Sequence, residues 1–233
     1  MTTIFLIPSP LSENVFDPLP SYILQAIKEC KVIFAENIRT TRRFFKSLDK
    51  SIIIDDFEWF EIHNAEEAQL TEFKKSIESG KNIGIISEAG CPGIADPGQK
   101  LIAIAQQKNC KIRPLSGPSS IILALMASGL NGQQFTFHGY LPIEQNSRIK
   151  ILSEIESHSR KTGSTQLFIE TPYRNNQLFE SLINTCGSLT RLCIARDLTG
   201  EKELVVTKSI SEWKKQPLPE IHKVPVIFLI NAG

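Results

Sequence analysis

The sequence has no apolar run that approaches the roughly 20 residues needed to span a bilayer, so no transmembrane helix is expected. Neither sign of charge dominates. Twenty-six Lys and Arg stand against 25 Asp and Glu, a net charge of +1, which argues against a general polyelectrolyte binder and leaves a local basic patch open. Cysteine is sparse: Cys30, Cys91, Cys110, Cys186 and Cys193 form no C-x-x-C pair and are odd in number. That pattern fits free thiols in a reducing compartment better than a disulfide framework or a zinc site. The four histidines are scattered without ligand spacing, so no metal is expected. "MTTIFLIPSP" lacks a basic leader region and reads as a first strand rather than a signal peptide. The expectation is a soluble, cytoplasmic protein that does not contact membrane.

What is present is an alternation of short apolar runs and helical patterns, the mark of sheets covered by helices. Residues 4–7, 31–36, 51–55, 82–87 and 110–115 read as strands. "SYILQAIKEC" and "EEAQLTEFKKSIESG" read as helices between them. The pattern then restarts, with strands at 135–139, 165–170, 191–196, 203–209 and 224–230 and helices near 147–158 and 174–185. The last two strands have no obvious crossover helix between them, so the second sheet is expected to be mixed. The fold class is α/β, with two domains, 1–115 and 116–233.

Two loops stand out. "ISEAGCPGIADPG" (86–98) packs three glycines and two prolines between a strand and a helix, where open α/β sheets present backbone to ligands. Asp96 and Pro97 suit the cap and first position of the following helix. The loop lacks the Lys-Ser/Thr of a P-loop, and its glycines do not form G-x-G-x-x-G, so a phosphate cradle is disfavoured. "PLSGPSSIILALMASGL" (114–130) runs from a strand into a helix that Pro118 is expected to start and Gly129 to close. Such residues suit an ordinary turn or room for a flat ligand of little negative charge, and both readings stand at this point.

In order along the chain, "PSPLSEN" (8–14), "AENIR" (35–39), "SEAGCPGIADPG" (87–98), "LSGPSSIILALMASGL" (115–130), "FHGYLP" (137–142), "FIETPYR" (168–174) and "ARDLTG" (195–200) resemble the tetrapyrrole methylase superfamily of S-adenosylmethionine-dependent methyltransferases. The branch most similar methylates a ribose 2′-hydroxyl of a cytidine in small-subunit ribosomal RNA. The resemblance implies two α/β domains, usually a homodimer, with S-adenosylmethionine held in the cleft between the halves. It places Leu11, the turn Gly90, Cys91, Pro92, Gly93 and Ile94, the residues Ser119, Ser120 and Ile121, and Ala195 and Pro225 around that cofactor. It implies ribosomal RNA or the small ribosomal subunit as substrate. The chain departs from the branch at Ser12, Asn37, Ile38, Glu88, Cys91, Asp197 and Gly200, where Gly, Asp, Thr, Asp, Thr, Glu and Lys are usual.

Methyl transfer from a sulfonium rests mainly on alignment, but a ribose hydroxyl must lose its proton. Matched to the family motifs, Glu36, Glu170 and Glu203 are candidate bases or orienters, with Arg39, Arg174 and Arg196 as partners or phosphate contacts. Structural ion pairs at strand ends are the competing reading. In "IRTTRRFFKSL" (38–48), Arg39, Arg42, Arg43 and Lys46 fall on one helical face opposite Phe44, Phe45 and Leu48. The stripe suits RNA phosphates or plain solvation, and Arg148, Lys150, Arg160 and Lys161 extend the patch in the first case. A methyltransferase of the same fold acting on a tetrapyrrole or another small molecule, and a cofactor-binding protein without turnover, are the rival functions.

Overall fold

The computed structural model describes residues 2–62 and 67–233, so Glu66, the first residue of the expected helix over 66–80, lies outside the described residues. Backbone packing divides the chain into two units, Met1–Ser119 and Ser120–Gly233, each with its own five-stranded sheet.

In the first unit, β1 (Thr3–Ile7), β2 (Val32–Ala35), β3 (Glu58–Glu61), β4 (Ile83–Ile86) and β5 (Lys111–Pro114) lie in the order β3-β2-β4-β1-β5, and every pair is parallel. The crossovers contain α1 (Tyr22–Glu29), α2 (Ile38–Leu48), α3 (Glu67–Glu78) and α4 (Gln99–Gln107). Phe5, Ile7, Ile33 and Ala35 pack with α1 and α2, while Ile4, Val32, Phe34, Ile83 and Ile85 pack with α3 and α4. Both sheet faces are therefore covered, which is why "VIFA" and "IGII" are continuous apolar runs rather than alternating ones. From β1 the chain crosses over β4 to reach β2, and from β4 it crosses over β1 to reach β5. Neighbouring strands whose connections part in opposite directions leave a crevice at their carboxyl ends. The loops that follow β1 and β4 meet there.

Two local expectations are corrected in this unit and a third where the second unit begins. The run 51–55 is not a strand: a 3-10 turn occupies Ile54–Asp56, and the strand that pairs with β2 comes three residues later at Glu58–Glu61. Trp59 Nε1 donates to the Ile54 carbonyl at 3.0 Å and fixes that turn, while Ile53 is left 60% exposed. The helix after the 86–98 loop begins at Gln99 with Gly98 as its cap, because Asp96 turns its carboxyl to Ser87 instead. The helix after Pro118 begins at Ser120, two residues later than expected.

In the second unit, β6 (Phe135–Tyr140), β7 (Thr165–Ile169), β8 (Arg191–Arg196), β9 (Leu204–Ser209) and β10 (Val226–Asn231) lie in the order β6-β7-β10-β8-β9. β6 and β7 are parallel and the other pairs antiparallel, so the sheet is mixed as expected. The helices are α5 (Ser120–Ser128), α6 (Gln145–Thr162), α7 (Asn175–Thr185) and α8 (Ile210–Trp213). Leu152, Phe168, Leu178, Leu182, Phe228 and Ile230 centre its core. Among the described residues no helix is long and apolar enough to cross a membrane.

Candidate functional site

The crevice of the first unit is built by two backbone loops clasped together. Ser9, just past β1, and Gly90, just past β4, exchange two main-chain hydrogen bonds, and the Ser9 hydroxyl donates to the Ser87 carbonyl at 2.6 Å. Gly90 has φ +69°, a backbone region that side-chain-bearing residues avoid, and a β-carbon there would sit 3.3 Å from Leu11 Cδ2 and 3.5 Å from the Pro118 carbonyl oxygen. Gly117 is small for another reason: a β-carbon on it would strike the Pro8 ring. Cys91, half-buried, points its thiol at the Pro118 carbonyl, 3.6 Å away, and burial with Asp96 nearby raises its pKa. Pro92 is buried, Gly93 bonds back to the Pro97 carbonyl at 3.3 Å, and Ile94 stands 55% exposed at the tip. Leu11, Gly90, Cys91, Pro92 and Gly93 are thus brought to one clasp in this unit, with Ser119 half-buried at its end.

Three carboxylates surround the clasp. Glu36 follows β2 and accepts from the Glu88 N–H at 2.9 Å. Glu88 follows β4 and accepts from the Thr40 hydroxyl at 3.3 Å. Asp96 is pushed up to about 6 by burial and by the negative charge of Glu36 and Glu88, against a Ser87 hydrogen bond that lowers it. Sequence reading missed Glu88 and Asp96 as site groups. The one signal was their place inside the Gly/Pro-dense loop. Asn37, where the resembling branch has Asp, still caps α2: its side chain accepts from the N–H groups of Arg39 (3.0 Å) and Thr40 (3.2 Å).

The α2 stripe is exposed, with Thr41, Phe44 and Phe45 buried behind it. Its four cations differ. Arg42 lies 5.0 Å from the Trp59 ring centroid, and Lys46 Nζ donates to the Lys50 carbonyl at 3.0 Å. Arg39 and Arg43 make no side-chain hydrogen bond or ion pair among the described residues. Arg148 does not extend this patch: it is 6% exposed, and its guanidinium donates to Ser181 Oγ (3.0 Å) and the Ile143 carbonyl (2.8 Å).

The remaining candidates lie in the second unit. Glu170 is buried and pairs with Arg174 at 2.7 Å while accepting from the Thr171 N–H at 2.6 Å. Arg196 donates to the Glu220 carbonyl at 2.6 Å, and its Nε is buried without a partner, as is Arg174 Nε. Glu203 forms no ion pair with either arginine among the described residues; it accepts from the Thr199 N–H of its own turn at 2.6 Å. Asp197 fills the space a side chain at Gly200 would need and accepts from the Lys202 N–H at 2.8 Å. Ala195 is buried in β8, Pro225 is exposed before β10, and Ser120 and Ile121 open α5. Among the described residues no group of three or more His, Cys, Asp or Glu has the arrangement of a metal site.

The family model for tetrapyrrole (corrin/porphyrin) methylases matches residues 23–214. The chain belongs to that family. Like its other members, this methylase belongs among the methyltransferases. It is 30% identical over 210 residues to "Ribosomal RNA small subunit methyltransferase I" of Vibrio cholerae, covering 90% of this chain and 69% of that protein. It is 28% identical over 233 residues to the protein of the same name from Buchnera aphidicola, covering 98% of this chain and 78% of that one. Its fold matches the methyltransferase CobJ with a TM-score of 0.63 at 17% identity, over 99% of this methylase and 93% of CobJ.

The clasp fits S-adenosylmethionine. A sulfonium and an α-amino group are cationic, and three carboxylates, one of them raised by burial and by the other two, suit a cation. The turn is kept small at Gly90, where a β-carbon would crowd Leu11.

Proposed function

We propose that this methyltransferase takes a methyl group from S-adenosylmethionine and transfers it to a ribose 2′-hydroxyl of small-subunit ribosomal RNA, acting in the cytoplasm as a homodimer. The likeness to ribosomal RNA methyltransferases along nearly the whole chain carries the reading of the substrate. Two unpaired guanidinium groups, Arg39 and Arg43, on an otherwise near-neutral protein support an RNA backbone contact.

The cofactor, when bound, supplies an electrophilic methyl on a good leaving group. The chain's own residues then have three tasks. The turn Gly90–Ile94 and Leu11 shape the seat through backbone and small side chains, with Ser119, Ser120, Ile121, Ala195 and Pro225 as further proposed contacts. Glu36, held by the Glu88 N–H, takes the hydroxyl proton, and Arg39 and Arg43 hold phosphates so that the nucleophile is aligned. Buried Glu170, paired with half-buried Arg174, holds the end of β7.

The rival, a small-molecule methylase, draws on the description of the matched family and on fold matches such as that to CobJ. RNA binding separates the two. Changing Arg39 and Arg43 to Glu is expected to weaken binding to the small ribosomal subunit and to flatten its salt dependence by roughly 0.7–0.9 in log–log slope per lost contact. An unchanged slope favours the small-molecule reading.

A further inference from the structure

The first unit holds a cavity of about 470 Å³ that opens beside the clasp at Ser9 and Leu11 and runs along α2 as far as Ser47. That volume lies within the roughly 300–1,000 Å³ of small-ligand sites. Its walls differ in chemistry. Phe16 and Phe44, stacked with ring centroids 6.0 Å apart and planes 22° from parallel, give it an apolar side. Thr40 and Glu88 give it a polar side, where one Glu88 oxygen is tied to the Thr40 hydroxyl and the other accepts no hydrogen bond among the described residues. Arg43 stands over the cavity from the exposed face of α2.

An apolar wall, a carboxylate acceptor and a guanidinium without a partner match the three parts of a nucleotide. Aromatic faces take a base, a carboxylate takes an exocyclic amine, and a guanidinium takes a phosphate. We infer that this cavity seats the nucleotide to be methylated, with Arg43 on its phosphate and Glu88 selecting a base that carries an exocyclic amine over one that carries a carbonyl there. The position follows the same logic. The cavity begins at Ser9, whose main chain is bonded to Gly90, so its occupant's ribose lies next to the clasp. The assignment rests on the RNA methyltransferase reading and adds to it the seat and the residues that read the base and its phosphate.

The test uses the full chain with cytidine and uridine 5′-monophosphates, followed by ligand-observed NMR up to about 10 mM, a range that reaches affinities weaker than about −4 kcal/mol. S-adenosylhomocysteine binding is measured alongside by calorimetry. The expected result is cytidine monophosphate bound at least tenfold more tightly than uridine monophosphate. Glu88→Gln should erase that preference, Arg43→Ala should weaken both nucleotides equally, and S-adenosylhomocysteine should bind with the nucleotide present. Three results would overturn the inference while leaving the proposed function in place: no nucleotide bound by a protein that binds the cofactor product, equal affinities in the wild type, or a preference that survives Glu88→Gln. Competition between nucleotide and S-adenosylhomocysteine would also overturn it, by giving the cavity to the cofactor. A protein that binds neither ligand fails the proposed function itself.

Discussion

Ser9 and Gly90, 81 positions apart in the chain, donate to each other's carbonyl at 2.9 and 3.1 Å and close the ends of β1 and β4 into one antiparallel bridge. Both residues follow strands that the topology makes neighbours, and both loops then depart in opposite directions. The clasp is therefore a consequence of strand order, and the glycine in it of the left-handed backbone that closes the turn.

Gly90→Val and Gly117→Ala separate the two uses of small residues. At Gly90 a branched side chain must adopt φ +69° and press on Leu11, so cofactor binding should be lost at a stability cost of about 1–3 kcal/mol. At Gly117 the added carbon meets the rigid Pro8 ring, and overpacking of about 1–3 kcal/mol should lower the melting temperature by a few degrees. Calorimetry with S-adenosylhomocysteine and thermal melts check both. Undiminished ligand affinity in Gly90→Val would remove the clasp from the cofactor site.

Asp96 should make the ligand-free protein more stable as pH falls from 7 to 5. Its carboxyl titrates near 6 in the folded protein, against an ordinary value of 3.8, so between those values the folded chain holds a proton that the unfolded chain has released. Burial of the ionised carboxyl, with repulsion by Glu36 and Glu88, is thus a cost of the folded state above about 6, relieved on acidification. Asp49, held low by Lys28 and Ser51, opposes this only near and below its ordinary value of 3.8. Asp96→Asn should flatten the slope between pH 5 and 7 and raise the melting temperature at pH 7. A cationic cofactor favours the ionised carboxyl, so its affinity should fall as pH drops through about 6. An unchanged slope in the variant would separate Asp96 from the carboxylate cluster.

Thiol reactivity gives an independent view of the clasp. Cys30, Cys186 and Cys193 are buried, and burial pushes the last two up to about 12 and about 11. Native alkylation at pH 8 should therefore mark Cys91 and Cys110 alone, read by mass spectrometry. Added S-adenosylhomocysteine should slow Cys91 and leave Cys110 unchanged. Equal rates at Cys91 with and without ligand would place the ligand elsewhere.

Glu170→Ala should lower the melting temperature, because it removes the acceptor of the Thr171 N–H and the partner of Arg174. Glu170→Gln, which keeps an acceptor for the Thr171 N–H, should cost less. If methyl transfer by Glu170→Gln, measured below its melting temperature, stays within a few-fold of wild type, Glu170 is structural. A loss of more than about a hundredfold would return it to the chemistry.

Much of this was legible in the sequence because it is written in local chemistry. Continuous apolar runs marked the buried β2 and β4, Gly and Pro marked the clasp loop, and the 3.6-residue period placed the α2 cations on one face. The misreadings have tertiary causes. "SIIID" carries strand-forming residues but no partner strand in register, and β2 pairs with "EWFE" instead. Asp96-Pro97 has the look of a helix start, yet Ser87 draws the carboxyl away. Arg148 reads as a surface cation but is needed by the carbonyls of Pro142 and Ile143. Glu36 lies on a different segment from Glu88 and Asp96, and only the adjacency of β2 and β4 brings their charges together.

The most direct measurement supplies the protein with S-adenosylmethionine labelled in its methyl group and small ribosomal subunits from cells lacking the enzyme. The account predicts label in the subunit's RNA at a single nucleotide, in a linkage that blocks alkaline cleavage at that position, as a 2′-O-methyl group does. It also predicts loss of that label in Gly90→Val. Label on a tetrapyrrole with none on RNA, or no transfer to RNA by a protein that binds the cofactor, would contradict it.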